Sequence, residues 1–161
     1  MSSLDTSTHG GFNRVDVLVF SGTFYAQVQP RIAFILDGAA KRGVQVRLCF
    51  GDPGSEVVAV RDREEGIGGT LAAKIRSVLT YYRPLADVDG CEVRLHSTTL
   101  YASLFRYDDE ILVNPHAYGE PGSANPVLHL RRIDGGSVAG HYLAAFERVW
   151  ATAMPWSGGD L

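Results

Sequence analysis

Apolar and polar positions follow two different periods along this chain, and their order reads as strand, helix, strand at the start and as clustered strands later. Residues 15–20 form a short run rich in β-branched and aromatic side chains, closed by the small polar turn Ser21-Gly22-Thr23. A run of this kind fits a buried strand. Pro30 suits a first helical position, and Ile32, Ile35, Leu36 and Ala39 then recur at helical spacing until Gly43 stops the element. Residues 44–50 alternate strictly, which predicts a second strand parallel to the first through a right-handed crossover.

Gly51-Asp52-Pro53-Gly54-Ser55 is turn chemistry, and residues 61–69 are charged and bear glycine, so a long surface loop or a short helix is expected there. Leu71, Ile75, Val78, Leu79 and Tyr82 make a second helical stripe, which Pro84 ends. Three strands follow at 91–96, 99–107 and 110–114, the last two joined by a tight Asp108-Asp109 turn. A further strand at 127–133 is broken by Gly135-Gly136. Val138, Tyr142, Ala145, Phe146, Val149 and Trp150 give a closing helix. The pattern predicts an α/β domain, a mixed β-sheet flanked by helices, over residues 14–154. Residues 1–13 read as a polar leader and 155–161 as a tail.

Composition narrows the classes. The 161 residues, 45% apolar and 20% charged, are those of one globular domain. Fifteen basic and eighteen acidic side chains give a net charge of −3, and no stretch concentrates the positive charge that tracking a phosphate backbone needs, so no direct nucleic-acid contact is expected. No apolar run, that at 15–20 included, approaches the roughly 20 residues that span a bilayer, so neither a membrane span nor a secretion signal is expected. Cys49 and Cys91 lie in strand-like runs without Cys or His at ligand spacing. They read as free thiols of a cytoplasmic protein, with no metal and no cofactor implied. Lys41 and Lys74 are the only lysines.

Several strings resemble the phospholipase D superfamily. Ala39-Ala40-Lys41-Arg42-Gly43-Val44 and the alternating strand after it are similar to that superfamily's first helix and second strand. Gly90-Cys91-Glu92-Val93-Arg94-Leu95-His96 resembles the strand before its catalytic motif, and Tyr142 to Trp150 resembles its closing helix. More narrowly, residues 100–109, Asn114-Pro115-His116-Ala117-Tyr118-Gly119 and Gly51 to Ser55 look like a phospholipase D-like domain of unassigned function that follows helix-turn-helix modules in bacterial transcriptional regulators. Residues 1–13 are too few and too polar to hold such a module.

The resemblance implies a catalytic motif, His-x-Lys, four residues and Asp, in which histidine attacks phosphorus. Laid on this chain it falls on Tyr101-x-Ser103-x4-Asp108, so the nucleophile and the amine are replaced. Both lysines sit on predicted helices away from that position, and neither is expected to substitute. Alternation puts Tyr101, Ser103 and Phe105 on one strand face. Tyr101 and Ser103 then offer hydroxyls to a ligand, or Tyr101 packs in the core. By the same resemblance His116 stands where a phosphate-binding asparagine is kept, with Asn114 two residues before it, and His129 falls near a family glutamate.

Two histidines facing one cavity can bind an anion or act as base and nucleophile. The alternative is that they serve structure. Ser21 and Thr23 flank a turn whose backbone can approach an anion, and Asp52 either accepts hydrogen bonds from a ribose or caps its own turn. An arginine from residues 61–69 can supply a phosphate contact.

Three functions follow as expectations. The leading one is a non-catalytic or weakly catalytic binding or sensor domain for a small phosphate-bearing or nucleotide-like ligand, related to transcriptional regulators. The second is a phosphoryl hydrolase or transferase with an altered site centred on His116, helped by Tyr101, Asp108 or His129. The third is a structural dimerisation domain, since single-motif members of the superfamily pair to build a shared site and a homodimer is the expected assembly.

Overall fold

A computed structural model describes residues 12–23, 25, 29–136 and 138–161. The leader read at 1–13 therefore lies mostly outside the described residues. Of its end, Phe12 packs on Tyr107 with ring centroids 5.4 Å apart, and Asn13 gives its carbonyl to the Gln45 amide.

The β-α-β opening is present. Strand β1 (Arg14–Leu18) and strand β2 (Gln45–Gly51) are parallel, joined through helix α1 (Ile32–Lys41). Helices α2 (Glu56–Glu65) and α3 (Thr70–Tyr82) follow, then a 3-10 turn at Arg83–Asp87 and strand β3 (Cys91–His96), parallel to β2. Strands β4 (Ala102–Tyr107), β5 (Glu110–Pro115) and β6 (Leu128–Arg131) form an antiparallel meander, and helix α4 (Val138–Thr152) closes the fold. With β7 (Met154–Pro155) the described residues make one mixed seven-stranded sheet in the order β6-β5-β4-β1-β2-β3-β7. No helix among them is long and apolar enough to cross a membrane.

One alternative left open by the sequence is decided and one expectation is corrected. Of the charged stretch 61–69, residues 61–65 are helix, the second of the two alternatives read there. Ser55 caps α2 by accepting the Val58 amide, and Gly66 ends it at φ 67°, a left-handed conformation that suits glycine. The α2 residues that bury are Val58, Arg61 and Asp62. With two of those three charged, the helix carries no apolar stripe to read. The segment 155–161 is also more than a tail, because β7 pairs with β3, Trp156 is buried, and its amide donates to Val93 O at 2.9 Å.

Asp16 interrupts the apolar run of β1 because it holds a charge inside the sheet. It is buried beneath α4, where Arg47 of β2 donates through Nε and Nη2 to its two carboxylate oxygens at 2.8 and 2.9 Å. The same guanidinium reaches Glu147 of α4 and lies over the rings of Phe146 and Trp150. The recurring aromatic pair of the closing helix thus covers a buried cation.

Candidate functional site

The carboxyl ends of parallel strands are where α/β sheets most often bind ligands. Here a cavity of about 530 Å³ opens at the end of β1. Residues 19–23 after β1 form one wall, α2 gives Arg61 and Glu65, α3 gives Leu71 and Lys74, and β4 and β5 give Ser103, Phe105, Leu112 and Asn114. His116, just past β5, and the loop from Pro121 to Val127 complete it. Several lining groups are apolar or aromatic, with Phe20, Tyr25, Phe105 and Leu112 among them, so a ligand's apolar portion can be buried.

The polar groups converge on His116. Its Nδ1 lies 3.3 Å from Leu100 O and its Nε2 lies 3.0 Å from Ser103 Oγ. A carbonyl oxygen accepts only, so Nδ1 carries the proton, Nε2 offers its lone pair, and the Ser103 hydroxyl donates to it. Burial and, after it, the nearby Arg61 charge hold the imidazole below its ordinary pKa, so it is neutral at pH 7. Phe20 stacks on the imidazole with centroids 6.2 Å apart.

Arg61 is buried and fixed on two sides. Its Nε donates to Glu65 Oε2 at 2.7 Å and its Nη2 to Glu120 O at 2.8 Å. The remaining nitrogen, Nη1, has no hydrogen-bond partner among the described residues and belongs to a side chain that lines the cavity. Lys74 is exposed at the rim, likewise without an ion-pair partner among the described residues. The expectation that both lysines stand away from the motif position is not met by Lys74, which lines the same cavity as Ser103.

The sequence-predicted residues divide sharply. Ser103, Asn114, His116, Ser21 and Thr23 come together at the cavity. Tyr101 does not, because it precedes β4, is 81% exposed, and contributes only its carbonyl, which accepts the His116 amide. Asp108 sits at the other end of the strands, five residues from Ser103 and roughly 16 Å along the sheet. There its carboxylate accepts the Asn13 and Arg14 amides, and its φ is 54°.

His129 is exposed on β6 and pairs with Glu110, which Arg131 also binds at 2.6 Å, so the two histidines do not share a cavity. Asp52 caps its own turn, accepting the Gly54 amide at 2.9 Å, and is not among the lining residues. Asn114 lines the cavity as a clamp whose Nδ2 faces the carbonyls of Gly122, Asn125 and Pro126 at 3.1, 3.4 and 3.1 Å. Among the described residues no cluster of His, Cys, Asp and Glu could hold a metal ion.

Sequence reasoning missed Lys74 and the aromatic wall of Phe20, and it held Glu65 only as one of the charges in the stretch 61–69. Arg61 was legible only as one of the charges in the stretch 61–69.

No family model matches the chain, and no curated protein does. Solved structures that share its fold include the following two. One is Nuc from Salmonella typhimurium, a phospholipase D family member, at TM-score 0.52 and 15% identity over 96% of this chain and 86% of that one. The other is the archaeal chromatin protein TrmBL2, whose structure shows a novel mode of DNA binding, at TM-score 0.53 and 11% identity. That match covers 96% of this chain but 48% of TrmBL2, so the chain spans about half of it. The mixed sheet with its four helices is a phospholipase D-like fold.

Proposed function

We propose that this domain binds a small phosphate-bearing or nucleotide-like molecule in the cavity at the end of β1 and serves as the sensing part of a regulatory assembly. The observation that carries the reading is Arg61, a buried guanidinium held rigid by Glu65 and the Glu120 carbonyl, whose Nη1 has no hydrogen-bond partner among the described residues, in a cavity that Lys74, likewise without an ion-pair partner among them, also lines. A preorganised arginine loses little freedom on binding, and charge-assisted hydrogen bonds to an oxyanion are the strong ones. Ser21 and Thr23, bonded to each other at 3.0 Å, stand across the cavity as further hydroxyls. The likeness to a larger DNA-binding chromatin protein fits a domain that works beside a nucleic-acid-binding partner, since the chain's own net charge of −3 does not favour backbone contact.

Calorimetric titration of the full chain with inorganic phosphate and with nucleoside monophosphates tests the reading. Saturable binding is expected, weakened by roughly tenfold or more in Arg61→Met, because a hydrogen bond to a charged group contributes about 1.5–3 kcal/mol. Lys74→Met, at the solvated rim, is expected to weaken it less. Absence of heat with the whole series, or equal affinity in Arg61→Met, overturns the proposal. A second reading, turnover at a site centred on His116, is favoured by the hydrogen bond between that histidine and Ser103.

A further inference from the structure

The geometry points to Ser103 as a nucleophile activated by His116, in a site that hydrolyses carboxylic esters carrying an anionic group. It rests on the anion-binding reading of the same cavity and adds a reaction to it.

A serine hydroxyl is a weak nucleophile unless a base takes its proton, and the base must itself be held in the right tautomer. Both conditions are met. Leu100 O engages Nδ1–H of His116 at 3.3 Å, which turns the lone pair of Nε2 toward Ser103, 3.0 Å away. The two side chains come from β4 and from the residue after β5, neighbouring antiparallel strands whose register pairs Ser103 with Asn114. The sheet fixes their spacing as a loop would not. Ser103 is 9% exposed and, with His116, is among the residues that line the cavity.

The charges nearby select the electrophile. Transfer of a phosphoryl group spreads charge over three equatorial oxygens and calls for several cations around them. Arg61 lines the same cavity, and among the described residues one of its nitrogens, Nη1, has no hydrogen-bond partner, on a side chain already half-committed to Glu65. A single donor matches the single oxyanion of a tetrahedral carbon intermediate. Lys74 at the rim and the apolar wall of Phe105 and Leu112 fit an ester with a charged end and an apolar body.

In the first step the Ser103 Oγ–C bond forms, the hydroxyl proton passes to His116 Nε2, and the ester C–O bond breaks as that proton moves to the departing alkoxide. An alcohol leaves and an acyl-serine remains. In the second, His116 takes a proton from water, the hydroxide displaces Ser103, and the proton returns to Oγ. The sum is ester plus water giving acid plus alcohol, without oxidant or reductant.

The test uses the purified full chain in phosphate-free buffer with an alkyl fluorophosphonate, read by intact mass and peptide mapping. One phosphonyl adduct on Ser103 is expected, absent in Ser103→Ala and formed at least about a hundredfold more slowly in His116→Asn. Circular dichroism checks that both variants fold. The wild-type rate against pH is a second readout that needs no variant. His116 faces Arg61 and Glu65 of α2 and Ser103 of β4, with Lys74 of α3 lining the same cavity, and the rate should rise to a plateau with its midpoint below the ordinary histidine value of about 6.5.

No adduct beyond that of urea-unfolded protein overturns the inference, as does a rate that climbs without plateau to pH 9, the behaviour of an unassisted hydroxyl. Inorganic phosphate separates the two claims. If phosphate raises the melting temperature while Ser103 stays unlabelled, the cavity binds anions and the nucleophile is refuted. If Ser103 labels and phosphate neither slows labelling nor stabilises the fold, the dyad stands and the anion reading falls.

Discussion

Asn114 shows how a residue can line a cavity without being free to serve a ligand. Its single amide nitrogen faces three backbone carbonyls of the loop that forms one wall. Removing it in Asn114→Ala leaves those acceptors without their donor and is expected to cost about 1–3 kcal/mol in urea unfolding. Asn114→Asp keeps the shape but turns an oxygen toward the three carbonyls, so it should cost more than the alanine. An aspartate variant as stable as wild type would refute the clamp. Tyr101 makes the opposite case. It is 81% exposed with its ring outside the cavity, so Tyr101→Ala should change stability by less than about 0.5 kcal/mol and leave phosphate titration unchanged. A loss of binding in that variant would mean that the tyrosine folds over the cavity when a ligand is present.

At the scale of elements, the sheet's charged interior is the feature with the largest expected energetic consequence. Asp16 is 1% exposed and its bonds run to Arg47, whose guanidinium also meets Glu147 and two aromatic rings of α4. Asp16→Ala leaves Arg47 only the half-exposed Glu147 as an ionic partner, takes away the carboxylate 3.7 Å from Arg106 Nη1, and should cost about 3–5 kcal/mol. Glu147 is half-exposed at the outer side of the same guanidinium, so Glu147→Gln should cost less than about 1 kcal/mol. Equal costs would mean that α4, rather than the buried pair, sets the stability.

The same elements show what can be read from a sequence. Strands β1 and β2 and helices α1, α3 and α4 announce themselves by period, because each buries an apolar stripe or alternates. Helix α2 does not, since it buries Arg61 and Asp62, and Asp62 is spent accepting the Gly69 and Leu71 amides. The candidate site was legible where the resemblance to the phospholipase D superfamily points to it, at Ser103, Asn114 and His116. It was illegible where it depends on which way helices fold back, at Arg61, Glu65 and Lys74. Tyr101 was misplaced by one structural fact, that β4 begins at Ala102 rather than at residue 99.

Across the whole molecule, two histidines brace the end of the sheet where the cavity opens, and both contact the Phe20 ring, His96 at 5.6 Å and His116 at 6.2 Å. His96 is fully buried and its Nε2 lies 2.9 Å from Val19 O, which it can meet only as a donor, while its Nδ1 accepts the Thr98 amide. Both rings are therefore held neutral. Burial is the main cause that keeps each pKa below its ordinary value in the folded chain. The unfolded chain thus takes up protons first as pH falls. The stability these groups lend is complete above about pH 6.5 and is lost as pH drops from there through the lower folded values, with a slope of at most about 1.4 kcal/mol per pH unit for each histidine.

Carboxylates held low, such as Asp62 by its two backbone amides and Glu110 by Arg131 and His129, add their losses below about pH 5, leaving the interval from 6.5 to 5 to the histidines. Urea unfolding across that interval should show a falling free energy in wild type and a shallower fall in His116→Gln. An anion in the cavity favours the protonated form of His116, so saturating phosphate should also flatten the fall. A slope that phosphate leaves untouched while His116→Gln removes it would mean that the histidine titrates out of reach of the bound anion.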